Sequence, residues 1–367
     1  MLEYWEAHVG MALVMVIYGG YHVMTKLALT VGLAEIVFCV YRDVTALCIL
    51  GPYGYFKEKR ARPPVTRKLL YQFFFLGLTG VYGNQLLFTL GLSLTSPAVG
   101  AAFQPSVPVF TAVLAVLLGT EAWNFQRFDG KVKVGGIFLS VSGALLMALY
   151  KGPAIFGDGY DIDNYLGAVG GKPSPEPVGW FGSALISMGL SMWHVGIVCL
   201  VGNCMFLAVY FAYQAPVLKA YPHSLTVTAY SYFFGACLMV LTSVFSVSGI
   251  GAFSLTGTEI YSVLYAGIAA SAINYMIMSY SNKVLGPSLV SLYMPLQPLT
   301  SAILSRAFLG STIFLGNIIG GILILSGLFC TTWARNEADR ILSRARLPVI
   351  EETRGETSIS VKTPLLK

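Results

Sequence analysis

Within the apolar stretches of this chain lie a few side chains able to hydrogen-bond or carry charge. Amides dominate: Asn84, Gln85, Gln104, Gln214, Asn274 and Gln297. An amide can donate and accept without the desolvation cost of a full charge, so in apolar surroundings it suits either a polar ligand or a bond to a neighbouring helix. Both readings stand for Asn84, Gln85, Asn274 and Gln214. Gln104 and Gln297 lead as substrate contacts because each sits beside a proline. Tyr18, Tyr21, His22, Tyr213 and Tyr293 can wall an aromatic or amphipathic ligand, against ordinary packing in a chain of 21 tyrosines. Arg42 and Asp43 are charges inside an apolar run, where ionisation costs at least about 2.5 kcal/mol and persists only with a partner or water. Arg42 can attract an anionic substrate and Asp43 can carry a coupling proton; a structural network is the alternative. Neighbours in a helix point apart, so no direct pair between them is expected.

Prolines give these groups a setting. FQPSVP at 103–108 and YMPLQP at 293–298 contain Pro105, Pro108, Pro295 and Pro298. Proline lacks an amide hydrogen, so these four should release the carbonyls of Ala101, Gln104, Ser291 and Met294. The segments are then hinges lining a cavity, or structural kinks repacked by neighbours. The pattern repeats: Asn84, Pro97, Pro105 and Pro108 recur as Asn274, Pro287, Pro295 and Pro298, each 190 positions later, with Ala112/Ala302 and Leu114/Leu304 in register. The chain is built from two related halves.

Composition identifies the solvent of those halves. Residues are 56% hydrophobic and 11% charged, a balance no soluble domain could hide beneath a polar surface. A span needs about 20 mostly apolar residues, and ten candidates fall near 9–29, 35–56, 70–91, 99–118, 132–150, 194–215, 225–247, 259–281, 288–306 and 312–334. Glu3 and Glu6, rather than basic residues, precede the first run, which argues against a cleaved signal peptide. Basic residues are sorted into alternate loops: Lys57 to Lys68, Arg127 to Lys133, Lys219, Lys283, and the segment from Arg335. The positive-inside rule then places both termini in the cytosol. Lys26 and Arg306 are expected to snorkel to the opposite interface.

Five spans per half is odd, so the second half must enter the membrane inverted, with a substrate site between the halves at mid-membrane. The expected fold is an all-α integral membrane protein of ten transmembrane helices in two inverted five-helix repeats. Its parts are a first half at 1–150, a non-cytosolic linker at 151–177, a second half at 178–335 and a disordered cytosolic tail at 336–367. The apolar stretch 178–193 is short for a crossing and reads as an interfacial piece or an extension of the sixth span.

Other chemistries find little support. Cys39, Cys48, Cys199, Cys204, Cys237 and Cys330 form no short-spaced ligand motif and read as small hydrophobes. Asp158, Asp161 and Asp163 lack the later Glu and fixed Gly of a calcium loop. His8, His22, His194 and His223 are scattered, and no hydrolase or metalloprotease motif accompanies them, so an enzyme is disfavoured. No metal or cofactor is expected. A basic cluster broken by prolines, sitting where topology alone predicts it, does not indicate nucleic acid.

The runs HVGMALVMVIYGGYHVMTKLAL, FCVYRDVTAL, KEKRARPPVT, QFFFLGLTG, NQLLFTLGLSLTSPAVGAAFQPSVPVFTAVLA, YQAPVLKAYPHSLTVTAY and terminal TPLL resemble the plant nodulin-like, EamA-type branch of the drug/metabolite transporter superfamily. The resemblance implies a ten-helix secondary carrier working by alternating access. It further implies auxin (indole-3-acetate) or a related small organic acid as cargo, at the vacuolar membrane or alternatively the plasma membrane, with a role in secondary wall formation. Amino-acid export is the alternative within the branch, and proton coupling a further possibility. Three features depart from the pattern: Gly310-Ser311 in place of Gly-Glu, Met294 in place of Gln, and the stretch 178–193.

Overall fold

A computed structural model describes residues 2–31, 33–58, 63–94, 103–119, 127–150, 152–156, 192–246, 253–309 and 312–360. The linker beyond Phe156 and the stretch 178–191 lie outside these. The described chain is helical apart from one short ribbon. Its elements are α1 (Leu2–Val31), α2 (Glu35–Glu58), α3 (Arg67–Leu76), π1 (Gly77–Gly83), α4 (Asn84–Leu94), α5 (Ser106–Leu117), α6 (Phe128–Leu149) and β1 (Ala154–Phe156). There follow α7 (Met192–Ala220), α8 (Ser224–Ser246), α9 (Gly257–Tyr265), π2 (Ala266–Ile273), α10 (Asn274–Leu285), α11 (Pro287–Leu292), α12 (Leu296–Leu309), β2 (Ile313–Phe314) and α13 (Leu315–Ser360). Seven of these helical stretches are long and apolar enough to cross a bilayer. The regions expected as spans four and nine are interrupted, with turns at Gln104–Pro105 and Tyr293–Pro295.

The repeat reaches down to hydrogen bonds. Thr66 caps α3 by accepting from the Leu69 amide (3.4 Å), and its counterpart Thr256 caps α9 in a reciprocal box with Glu259. π1 and π2 occupy matching positions just ahead of Asn84 and Asn274. Gly77 packs so closely on α8 that an added Cβ would lie 3.1 Å from the Gly235 nitrogen; Gly267 packs on α2, where one would lie 2.6 Å from Thr45 Cβ. Positions 45 and 235 are themselves one repeat apart, so each half inserts its π-segment against the second helix of the other.

Equivalent helices run antiparallel. The end of α2 meets the start of α8, where the Glu58 carboxylate accepts from the amides of Leu225 (3.3 Å) and Thr226 (2.8 Å) and from the Thr226 hydroxyl (2.6 Å). Near the other end of the pair, Tyr41 donates to the Phe253 carbonyl (2.7 Å). α6 and α13 cross likewise, Gly143 against Gly320 and Gly136 against Gly327, and β1 pairs antiparallel with β2 beside them. Antiparallel equivalents are what an axis in the membrane plane produces, so the repeat is inverted.

Glu58 supplies acceptors to the unpaired amides of the α8 start, a job with a measurable worth. Glu58→Ala should lower stability by about 2 kcal/mol, seen as an earlier thermal transition in detergent, whereas Glu58→Gln should recover part of the loss.

At the C-terminal end α13 carries on beyond the apolar span to Ser360. Strong helix formers such as Arg335, Glu337 and Ala338 follow the apolar span directly, so no breaker ends the helix there.

A quasi-symmetric cavity between the halves

α1, α2, α4 and α7, the two helix breaks and α10 enclose a cavity. Tyr18, Tyr21, Arg42, Asn84, Gln85, Gln104 and Gln297 all line it, which brings seven of the residues singled out above to one place. The lining obeys the repeat. Gln85 and Tyr275 are equivalent positions, as are Phe88 with Met278 and Gln104 with Met294, and all six face the cavity. Amides at 85 and 104 in the first half have an aromatic ring and a thioether as their counterparts in the second. The lining thus combines amides with a ring and thioethers.

The amides of the lining are held on a slipped hydrogen-bond ladder. At the end of π1 the Asn84 amide bonds back to the carbonyls of Thr79 and Val81 and passes over that of Gly80. Side chains meet the Gly80 carbonyl instead, Asn84 Nδ2 at 3.2 Å and the Tyr275 hydroxyl at 2.7 Å. Asn203 of α7 then donates to the Asn84 carbonyl (2.8 Å) and to its side-chain oxygen, and accepts from Gln104 Nε2 (3.1 Å). One amide chain therefore ties α4, α7, α10 and the first helix break together. Gln104 keeps its oxygen and a second N–H for other partners.

Arg42 is 4% exposed and sits over the Tyr21 ring, 4.9 Å from its centre. Its Nε donates to Ser271 of π2 and one terminal nitrogen to the Tyr21 hydroxyl (2.7 Å). Gln85 joins it to Asp43: an amide nitrogen can only donate, so it faces the carboxylate (2.7 and 3.1 Å) while the oxygen accepts from Arg42 (3.1 Å). The adjacent charges thus form a bridged pair rather than a direct one. Arg42 reaches the cavity, and fully buried Asp43 lies behind Gln85. Among the described residues three of the five guanidinium N–H groups are engaged, leaving one on each terminal nitrogen.

Other expected contacts are placed elsewhere. Asn274 donates to the Val14 carbonyl of α1 (3.4 Å), and Gln214 bonds Tyr210, Ser279 and Asn282 at 2.8 Å each. Both are helix-to-helix ties outside the cavity. Tyr293 stands at the second break but bonds His8 (2.6 Å). The His22 side chain lies outside the described residues. Pro108 and Pro298 are not the breaks: each falls in the first turn of its helix, where a missing amide costs nothing. The carbonyls expected to be free are also occupied. Gln104 O accepts from Val107 (3.1 Å), Ser291 O from Met294 (2.9 Å) and Met294 O from Gln297 (3.0 Å), a tightened pattern that re-satisfies the turn; Ala101 lies outside the described residues. What the breaks do provide is the starts of α5 and α12 beside Gln104 and Gln297, and a helix start is electropositive.

Asn203, Tyr275, Phe88, Leu207, Met278 and Met294 complete the lining without having been anticipated there. Asn203 carried the same signal as Asn84, an amide in the middle of an apolar run. Tyr275, Met278 and Met294 could have been found by adding the repeat offset to Gln85, Phe88 and Gln104.

Comparison with known proteins settles the lineage of this architecture. A model of the EamA-like transporter family matches residues 5–149 and 194–333. The chain belongs to the EamA-like transporter family. Its relatives include Protein WALLS ARE THIN 1 of Arabidopsis thaliana, 35% identical, with 98% of this chain and 94% of the relative aligned. An auxin-induced protein of Pinus taeda is 34% identical, covering 97% and 85% of the two chains. A solved crystal structure with 15% identity matches with a TM-score of 0.63 over 90% of this chain and 98% of its own, a likeness of fold. This EamA-like protein is accordingly a multi-pass membrane transporter and not an enzyme.

Proposed function

We propose that this transporter carries a small organic acid with an apolar body, indole-3-acetate being the leading candidate, by alternating access about the cavity between its halves. The observation that carries the reading is a cavity lining that combines Arg42, Gln85 and Gln104 with Tyr275, Met278 and Met294. A carboxylate entering there meets the two unengaged N–H groups of Arg42 and the starts of α5 and α12. A planar ring lies against tyrosine and methionine. Amino-acid export is the weaker reading, because an ammonium group needs an anionic partner and no carboxylate is among the described residues lining the cavity. Asp43, joined to Arg42 through Gln85, is the proposed proton-coupling group.

The wider organisation belongs to the same proposal: halves at 1–150 and 178–335, a non-cytosolic linker at 151–177, both termini cytosolic, and residence in the vacuolar membrane. The resemblance of the chain to plant nodulin-like carriers supports that address and a role in secondary wall formation.

Uptake into proteoliposomes under an imposed proton gradient tests the cargo. Saturable flux of labelled indole-3-acetate, competed by unlabelled acid and not by neutral amino acids, is expected; amino-acid flux without indole-3-acetate flux would overturn the assignment. Gln104→Ala should raise KM about tenfold with insertion kept, and should lower stability by about 1 kcal/mol through the donor lost to the Asn203 side chain. Unaltered kinetics would return Gln104 to a purely structural role.

A further inference from the structure

Positions 104 and 294 are one repeat apart, both fall in the turns of the helix breaks, and both line the central cavity. Each break carries one amide and one apolar side chain a helical turn apart, but in opposite order. In the first break Gln104 is followed by Val107, fully buried in the core. In the second Met294 is followed by Gln297, which lines the cavity.

That exchange changes the acceptor. Gln104 Nε2 donates to the Asn203 side-chain oxygen (3.1 Å), whereas Gln297 Nε2 donates to the Met294 sulfur (3.1 Å). A thioether is a weak acceptor. Met294 also belongs to the apolar core that contains Leu207, Tyr275 and Met278, each of them part of the cavity lining. An amide at 294 would lack the support that Gln104 has. One repeat before Asn203 stands Leu13, apolar and 49% exposed, so α1 offers no amide to match Asn203. A glutamine at 294 could accept from Gln297, but its own N–H groups would depend on the cargo for an acceptor. A cargo hydroxyl supplies one. A hydrocarbon ring does not, and a buried donor left unmet lowers affinity by about 10- to 100-fold.

We infer that Met294 sets the preference of this carrier for acids with a hydrocarbon ring over hydroxylated acids. The inference rests on the reading of the central cavity as an organic-acid site and adds the residue that selects the body of the acid. The thioether gives a ring a polarisable apolar contact. It gives a hydroxyl no strong partner, so a hydroxylated acid loses water at that point of the lining without return.

Uptake of labelled indole-3-acetate and of labelled shikimate, a hydroxylated ring acid, tests this in proteoliposomes holding the parent or a variant at 294, read as the ratio of the two kcat/KM values. The ratio cancels differences in the amount of folded, inserted protein, which is all that a purely structural role would alter. The parent should favour indole-3-acetate by about 100-fold. Met294→Gln should cut that preference about 20-fold, and Met294→Ala about fivefold through the lost contact. Met294→Leu, apolar and of similar volume, should keep it within about threefold. A parent that favours shikimate, or a preference unchanged in both the glutamine and alanine variants, would overturn the role of Met294. So would a loss in the leucine variant as large as in the glutamine variant, or abolished uptake of both acids in every variant, which would assign Met294 to the fold. Saturable uptake of neither acid by the parent is a different result: it would remove the organic-acid reading itself, and this inference with it.

Discussion

Arg42→Gln should depress saturable uptake of an organic acid at a fixed subsaturating concentration by roughly 30- to 1,000-fold, the scale of losing one member of a buried, hydrogen-bonded charge pair. The same change would also harm the fold, because it leaves the fully buried Asp43 carboxylate facing only the Gln85 amide. An uncompensated buried charge costs about 3–5 kcal/mol, so the single variant by itself confuses binding with stability. Arg42→Gln/Asp43→Asn separates them. With both charges removed, Gln85 still has an amide on each side, and thermal stability should return close to that of the parent. Uptake of the carboxylate should remain lost, since no cation faces the cavity. A double variant with normal flux would show that Arg42 serves the fold only, and the anion assignment would go with it. Arg42→Lys should also fail to rescue, because one ammonium cannot reach Ser271, Tyr21, Gln85 and a substrate at once.

The other large effect is expected far from the cavity, at the seam of α6 and α13. An added Cβ at Gly320 would lie 2.5 Å from the Gly143 carbonyl oxygen, and one at Gly327 would lie 2.5 Å from the Gly136 oxygen and 2.6 Å from the Ser140 nitrogen. These obstacles are backbone atoms, which cannot swing aside as a side-chain tip can. In lipid the seam has no hydrophobic drive of its own and depends on this closeness for its van der Waals contact. Gly320→Leu and Gly327→Leu should therefore each cost about 3 kcal/mol through overpacking. Combined, they should abolish the monodisperse peak on detergent size-exclusion chromatography. Gly135, with open space where its Cβ would be, is the matched control: Gly135→Ala should leave the elution profile unchanged. Normal behaviour of both leucine variants would mean that α6 and α13 can part without loss.

Much of this was legible before any coordinates. A chain with 56% hydrophobic and 11% charged residues must dissolve in lipid, and prolines recurring at a fixed offset in a five-span unit dictate an inverted repeat. The same logic marks every buried amide as a group that must avoid hydrocarbon. It does not say what the amide meets instead. Asn84 and Asn274 are equivalent in sequence, yet one stands in the cavity wall and the other ties α10 to α1. Likewise Gln85 reads as one more polar residue until folding sets it between Arg42 and Asp43, two charges that point apart along their own helix.

Sequence alone determined the solvent, the two halves, their inversion and the membership of Arg42, Gln85 and Gln104 in a polar interior, because each follows from composition, period or the cost of stranding a polar group in lipid. Tertiary structure alone decided where the ladder slips at π1 and π2, how the broken turns re-satisfy their carbonyls, and which interior direction each amide takes. Those outcomes depend on competition among neighbouring donors and acceptors from other helices, and no single stretch of chain contains both sides of that competition.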